Sequence, residues 1–404
     1  MRILVGNKYF YRRAGAELVA LDTAELLRSH GHEISYFSMV HPQNLPSDFL
    51  PYFVSNVDYE QADLLQAATA AGRLLYSFEA RSKIERLVQD HRPDVAHLHN
   101  IYHQLSPSVL HGLKKYGIPI VLTLHDYKIV CASYSMVVGG KICEACKNGR
   151  YYQCFLKSCV KRSRMKSLLN TMEMYLHHSV LDIYGLVDVF ISPSKFLKDK
   201  VAEMGFKGRV VHIPNCVRAE GFVPRYGSDG NVICYIGRLA ETKGIETLIR
   251  AVKGLDVELR IIGAGPNRDA LEACVKSEGM QNVVFTGYMT GAPLEEEIRR
   301  SMFTVIPSEW YENNPRSVIE AFALGKPVVG ARIGGIPELV RDGETGYTFT
   351  AFSAEDLREK IVRLANDPAA IERMGRNARR FVEEELNAEV HYQRLMDVYR
   401  SVMK

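Results

Sequence analysis

Two carboxylates, Glu312 and Glu320, stand with seven residues between them in Ser308-Glu309-Trp310-Tyr311-Glu312-Asn313-Asn314-Pro315-Arg316-Ser317-Val318-Ile319-Glu320. The first falls in a loop after the apolar run Phe303–Pro307. The second falls inside a helix expected to start at Pro315, where a missing N–H leaves no bond unmade. Gly325 before Lys326-Pro327 is placed to close that helix in the left-handed cap conformation. A helix N-terminus collects free N–H groups and favours an anion, and a carboxylate beside it can accept hydroxyl protons. Upstream, Tyr235-Ile236-Gly237-Arg238-Leu239-Ala240-Glu241-Thr242-Lys243-Gly244 sets two cations, Arg238 and Lys243, in a glycine-punctuated turn after a strand. An arginine fork holds two oxygens and a lysine point charge a third, which is what a diphosphate requires.

These segments resemble the Glu-x7-Glu signature and the G-R-L-x-x-x-K-G element of the retaining glycosyltransferases of sequence family four, which have the two-domain GT-B fold. The resemblance implies a nucleotide-diphosphate sugar as donor substrate, and a glycan or lipid-linked acceptor. Arg238 and Lys243 would take the diphosphate, Glu320 the ribose hydroxyls, and Glu312 the donor sugar. Asn313, Asn314, Pro315, Arg316 and Ser317 would lie around sugar and diphosphate. The chain departs here from the commoner Glu-Gly-Phe-Gly loop; Asn-Asn can take glycine-like backbone conformations and keep the path. Ile261-Ile262-Gly263-Ala264-Gly265-Pro266 lacks the third glycine of a dinucleotide site, and Gly263 with Tyr288 is read instead as a wall around one base. His125, at the end of the strand before Asp126, resembles the family's first-domain histidine beside the donor sugar. Gly15 is carried over from the family's first glycine loop, where Ala14 replaces its partner. In His97-Leu98-His99-Asn100-Ile101-Tyr102-His103, alternation puts His97 and His99 on one face, and Asn100 and His103 are candidate acceptor contacts.

No Asp-x-Asp triplet occurs, so the diphosphate is expected to be held without a divalent metal and catalysis to need no cofactor. Arg238, Lys243 and the helix N-terminus would stabilise the leaving group. The acceptor hydroxyl would attack on the face the nucleotide leaves, with the diphosphate itself taking the proton. Two alternatives stay open: a GT-B nucleotide-sugar epimerase, and a non-catalytic protein that binds a nucleotide sugar or RNA.

The elements that must position these groups are short Val- and Ile-rich runs alternating with amphipathic stretches. Candidate strands are Arg2–Val5, Glu33–Phe37, Asp94–His97, Pro119–Leu124, Val189–Ser192 and Val210–Ile213, then Val232–Ile236, Glu258–Ile262, Val283–Phe285, Phe303–Ile306 and Pro327–Ala331. Continuous apolar strands separated by helices read as parallel sheets covered on both faces. At 404 residues two cores are expected. The fold class is α/β, with two doubly wound Rossmann-like domains facing across a cleft: 1–216 on the acceptor side, 217–382 for the nucleotide sugar, and a helix 383–404 crossing back. A net charge of +4 does not call for nucleic acid, and none is expected as partner. No apolar run reaches membrane-spanning length and no signal peptide opens the chain, so a cytoplasmic protein is expected, with reduced thiols.

An insert at 131–166 carries Cys131, Cys143, Cys146, Cys154 and Cys159. Cys143 and Cys146 have metal-knuckle spacing. A structural zinc held by Cys131, Cys143, Cys146 and Cys159, with Cys154 as a substitute, competes with simple thiols. The insert is basic, with Lys147, Arg150, Lys157, Lys161, Arg162, Arg164 and Lys166 and no acidic residue from Ala145 to Met172. Such a patch suits peripheral contact with an anionic membrane on its inner face.

Overall fold

A computed structural model describes residues 1–56, 71–103 and 105–403. In chain order the strands are β1 (Arg2–Gly6), β2 (Glu33–Phe37), β3 (Val95–Leu98), β4 (Ile120–Thr123), the hairpin pair β5 (Val137–Val138) and β6 (Lys141–Ile142), β7 (Val189–Ser192), β8 (Val210–His212), β9 (Val232–Ile236), β10 (Glu258–Ile262), β11 (Val283–Gly287), β12 (Phe303–Ile306), β13 (Val328–Ala331) and β14 (Gly346–Phe349). The residues group into two compact units, one of Met1–Val138, Cys143–Ile213 and Tyr392–Lys404, the other of Gly139–Ile142 and Pro214–His391.

In the first unit six strands form one parallel sheet in the order β2-β1-β3-β4-β7-β8. β3, β4 and β7 are buried along their whole length, as strands covered on both faces must be. Leu395, Met396 and Tyr399 of the last helix, Ala388–Val402, pack with Ile3, Val5, Leu27, Val95, Val121 and Ile191. The helix expected from Glu383 begins instead at Ala388. The preceding helix runs to Glu385, and the Asn387 side chain accepts from the Val390 N–H at 2.9 Å, starting a new helix. Lys404, the last residue of the expected helix, lies outside the described residues.

The second unit is a six-stranded parallel sheet in the order β11-β10-β9-β12-β13-β14. Relabelled within the unit this is 3-2-1-4-5-6, the doubly wound order. Helix Ile245–Val252 buries Ile245, Leu248, Ile249 and Val252, the i, i+3, i+4, i+7 stripe that seats it on the sheet. The order reverses between β9 and β12, and ligands of such sheets bind beyond the carboxyl ends of the strands at that switch. The loops leaving β9 and β12 are the two that carry the cations and the first carboxylate. Among the described residues no helix is long and apolar enough to cross a membrane.

Candidate active site

Backbone contact brings the β9 and β12 loops together. Gly244 has φ +64°, and a Cβ there would run into the Pro307 carbonyl, so only glycine lets the turn after Lys243 lie against the β12 loop. The Glu309 N–H donates to the Thr242 carbonyl at 2.9 Å, and Thr247 Oγ1 donates to Glu309 Oε1 at 2.6 Å. Lys243 Nζ consequently reaches Glu312 Oε1 at 2.5 Å and sits 5.0 Å from the centre of the Trp310 ring. Ser308 Oγ donates to the same Glu312 oxygen at 2.6 Å. Burial pushes the Glu312 carboxyl up, but the Lys243 charge and the hydrogen bonds from Lys243 and Ser308 outweigh it, and its pKa falls below the usual carboxylate range.

The loop beyond is fastened from two sides. Asn314 Oδ1 accepts from the Asn215 N–H at 3.0 Å, and the Asn314 carbonyl accepts from Asn215 Nδ2 at 2.8 Å. Asn314 thus spends its side-chain oxygen on holding the loop. The Gly335 N–H donates to the Glu312 carbonyl at 2.7 Å, and Gly334, at φ +60°, leaves no room for a Cβ against the Glu312 backbone. Neither Asn313 nor Asn314 takes the left-handed backbone expected of a glycine substitute; the positive-φ glycine at this turn is Gly334, on the loop packed against it. Ser308, Trp310 and Asn215, together with this glycine pair, are the site's contributors that motif reading did not assign. The Gly-Gly pair just past an apolar strand was the available signal.

The helix begins at Arg316 rather than Pro315. Pro315 occupies the cap position with an extended backbone (φ −68°, ψ +118°), so its fixed φ directs the chain into the helix without being part of it. Ser317 lies in the first turn, half-buried. One turn on, Arg316 Nη2 lies 3.3 Å from Glu320 Oε1, an i, i+4 pair that aims the carboxylate toward the helix N-terminus. Arg238 is exposed and makes no ion pair among the described residues. Gly263 and Gly265 admit no Cβ, because the backbones at Gly237 and Leu239 press against them. Leu239 N–H donates to the Ala264 carbonyl at 2.9 Å, so the β9 and β10 loops form one surface. Tyr288, just past β11, is 66% exposed and leaves its ring open to stack.

In the first unit the histidines form a chain. His97 is buried and locked, with Nδ1 2.6 Å from Tyr399 Oη and Nε2 2.7 Å from Thr123 Oγ1. His99 stacks on it, ring centres 4.5 Å apart, as alternation predicts. His99 Nδ1 is 2.9 Å from His125 Nε2. Burial lowers the His125 pKa to about 4, so its imidazole is neutral at neutral pH. The adjacent Asp126 moves the other way, burial raising it to about 6 against the bond its Oδ1 accepts from the Lys128 N–H. His103 has φ +63° and a pKa lowered by burial to about 4. Asn100 receives its place from Asn7, whose Oδ1 accepts the Asn100 N–H at 3.2 Å. Gly15 opens the helix Gly15–Ser29 with open space where a Cβ would stand, so no close approach forces glycine there.

The cysteines of the insert lie within electrostatic reach of one another. Among the described residues no three His, Cys, Asp or Glu side chains are placed to share a metal ion. Cys131, Cys146 and Cys154 turn inward, and Cys143 and Cys159 are half-buried. Cys131 Sγ meets Ser133 Oγ at 3.4 Å, and Cys159 hydrogen-bonds to Cys154. Packing contacts border the insert. Lys128 Nζ binds Glu173 Oε2 at 2.6 Å in full burial, and the Asn148 N–H donates to the Met204 carbonyl at 2.8 Å.

Comparison with known proteins gives two family matches. "Glycosyltransferase Family 4" matches residues 13–220, just over half of the chain, and "Glycosyl transferases group 1" matches residues 221–381. The chain is 28% identical over 357 residues to an uncharacterized 42.6 kDa protein in the cps region of Klebsiella pneumoniae, covering 84% of this chain and 87% of that one. It is 29% identical over 184 residues to the capsular polysaccharide biosynthesis glycosyltransferase CapM of Staphylococcus aureus, covering 44% of this chain and 48% of that one. The crystal structure of Anabaena Alr3699/HepE in complex with UDP-glucose superposes with a TM-score of 0.70 at 17% identity, covering 99% of this chain and all of that one.

Proposed function

Since this chain belongs to glycosyltransferase family 4, a retaining family with the GT-B fold, and is a nucleotide-sugar-dependent enzyme, we propose that it builds a bacterial surface polysaccharide. It would transfer a sugar from a nucleoside-diphosphate donor to a glycan or lipid-linked acceptor. The capsular setting is supported by the named Klebsiella and Staphylococcus relatives, and the donor class by the UDP-glucose complex of the structural neighbour. Residues 217–382 would bind the donor and 1–216 the acceptor. The work would be done on the cytoplasmic side, where cysteine thiols stay reduced.

The observation that carries this reading is the Lys243–Glu312 pair at the reversal point of the second sheet, with Arg238 exposed on the same β9 loop as Lys243. An ammonium has three donors, so Lys243 can keep one on Glu312 and turn the others to a diphosphate. Glu312, ionised and fixed, then accepts donor-sugar hydroxyls. Glu320, steadied by Arg316, accepts the ribose hydroxyls. As the bond to the anomeric carbon breaks, charge grows on the diphosphate, where Arg238, Lys243 and the first N–H groups of the helix from Arg316 would stabilise it. The acceptor hydroxyl attacks from the face just vacated, and its proton passes to a diphosphate oxygen. His125, neutral at this pH, contributes a hydrogen bond rather than a charge.

A thermal-shift panel of UDP-, GDP-, ADP- and dTDP-sugars tests this. A donor at about a hundredfold its dissociation constant should stabilise by ~2.7 kcal/mol. One donor is expected to stabilise the wild type and to lose most of that effect in Arg238→Ala. If the selected donor stabilises both proteins equally, the diphosphate does not lie at Arg238.

A further inference from the structure

The helix Arg164–Tyr175 and the wider turn Leu176–Val180 that continues it have their polar face turned inward. Ser167, Asn170, Thr171, Glu173 and His177 are buried, while Met165, Met172 and Val180 are 74%, 50% and 72% exposed. Those three recur at intervals of seven and eight, and Leu169 and Leu176 fall between them on the same side, half-buried. A helix on a water-soluble protein ordinarily shows the reverse, apolar in and polar out.

The inversion is built in. Four inner polar groups have partners: Ser167 Oγ with the Ser163 carbonyl at 2.7 Å, Asn170 Nδ2 with the Lys166 carbonyl at 2.9 Å, Thr171 Oγ1 with the Ser167 carbonyl at 2.8 Å, and His177 Nε2 with the Leu75 carbonyl at 2.7 Å. The buried Lys128–Glu173 ion pair at 2.6 Å pins the middle of the helix. Rotating the helix to hide Met165 and Met172 would break that pair and expose two buried charges to loss of partner. The apolar stripe is therefore held outward. The neighbouring helix Tyr152–Leu156 adds Leu156, 62% exposed, and Tyr152, 45% exposed.

Charge decides what covers this stripe. Its N-terminal end is bordered by Lys157, Lys161, Arg162, Arg164 and Lys166, all exposed, with no acidic residue between Ala145 and Met172. We propose that this face seats on an anionic lipid bilayer, the Met165–Met172–Val180 stripe among the outer acyl segments and the basic cluster among the headgroups. A second copy of the chain would bring the basic cluster up against like charge, whereas a phosphate-bearing surface complements it. The bilayer contact stands on the first unit alone. Its consequence, that the acceptor is a lipid-linked glycan presented at the membrane surface, rests on the transferase reading above.

The test is flotation of the full-length protein with vesicles of phosphatidylcholine alone and of an equal mixture with phosphatidylglycerol. Binding to the mixed vesicles only, weakened by salt, is expected. Met165→Ser/Met172→Ser/Val180→Ser should reduce that partitioning at least about tenfold. Arg162→Gln/Arg164→Gln/Lys166→Gln should reduce it by about fivefold for each charge removed. Because all six side chains are exposed, an unchanged melting temperature and donor response will show that each variant is folded, which separates this result from failure of the transferase reading. Equal binding to both vesicle types, no binding at all, or a triple serine variant that floats like the wild type overturns the proposal. So does concentration-dependent self-association that the serine variant abolishes, which would assign the stripe to a second copy.

Discussion

Replacing Lys243 with alanine should destabilise the second unit at neutral pH, and do so less as the pH falls. In the intact protein the Glu312 carboxyl titrates below its usual value of 4.5: burial raises it, and the Lys243 charge with two hydrogen bonds more than offsets the burial. A carboxyl whose folded pKa is depressed adds stability that is fully present above its unfolded pKa and is lost as pH falls through the folded value. In Lys243→Ala the burial remains, since Glu312 is only 7% exposed, while the strongest opposing influence is gone. The folded pKa then rises above 4.5, and the sign inverts: stability is lost as pH climbs from about 5 toward neutral. Removing one partner of a buried pair costs about 3–5 kcal/mol. Lys243 is 24% exposed, so water can take up part of its place, and Ser308 still donates to Glu312. We therefore expect about 2–3 kcal/mol at neutral pH, a fall in melting temperature of roughly 5–10 °C for a unit of this size. Lys243→Met/Glu312→Gln, which removes both charges, should regain most of the stability and none of the donor binding. Melting curves of the three proteins near pH 5 and near pH 7.5 make the comparison. A Lys243→Ala protein that melts with the wild type at neutral pH, or whose deficit grows on acidification, would mean that the ion pair does not hold Glu312.

Three further outcomes follow from other contacts. Glu320→Ala should weaken donor binding by at least ~1 kcal/mol through loss of a charge-assisted bond to the ribose, read by titration calorimetry; unchanged affinity would remove Glu320 from the nucleotide site. Asp126→Asn should stabilise the protein at neutral pH by up to ~3 kcal/mol, trimmed by the solvent it still touches, and do little near pH 4. The reason is that a carboxyl whose pKa is raised to about 6 costs stability as pH rises past its unfolded value. Gly244→Ala should cost ~1–3 kcal/mol and impair donor binding together, because the turn must swing away from Pro307 and take Lys243 with it; full donor affinity in that variant would detach the lysine from the site.

What could be read from the sequence was whatever lies in one run. β2, β7, β9, β10 and β12 begin and end at their expected residues, because each is an unbroken apolar or alternating stretch between turn formers. β14 was missed: Gly346-Tyr347-Thr348-Phe349 is short, opens on glycine, and owes its place to the Val328 backbone that a Cβ at Gly346 would strike. The two-residue strands β5 and β6 carry no pattern at all. At the candidate site the charged residues stand in readable motifs, but the contacts that set their state do not. Lys243 and Glu312 are 69 positions apart and meet only because Gly244 tolerates the Pro307 carbonyl. Alternation put His97 and His99 on one face, but did not show the lock on His97 from Tyr399, 302 positions away. The Arg164–Tyr175 helix is the sharpest case. Its spacing shows that it has two faces, one polar and one apolar, yet periodicity carries no sign. The sign is set by Lys128, on another element, which draws Glu173 inward and leaves the methionines outside. A buried charge pair, and not hydrophobicity, fixes the orientation of this helix. The apolar stripe it turns out is therefore a property the fold maintains at the expense of ordinary burial, as expected if that stripe has a partner of its own.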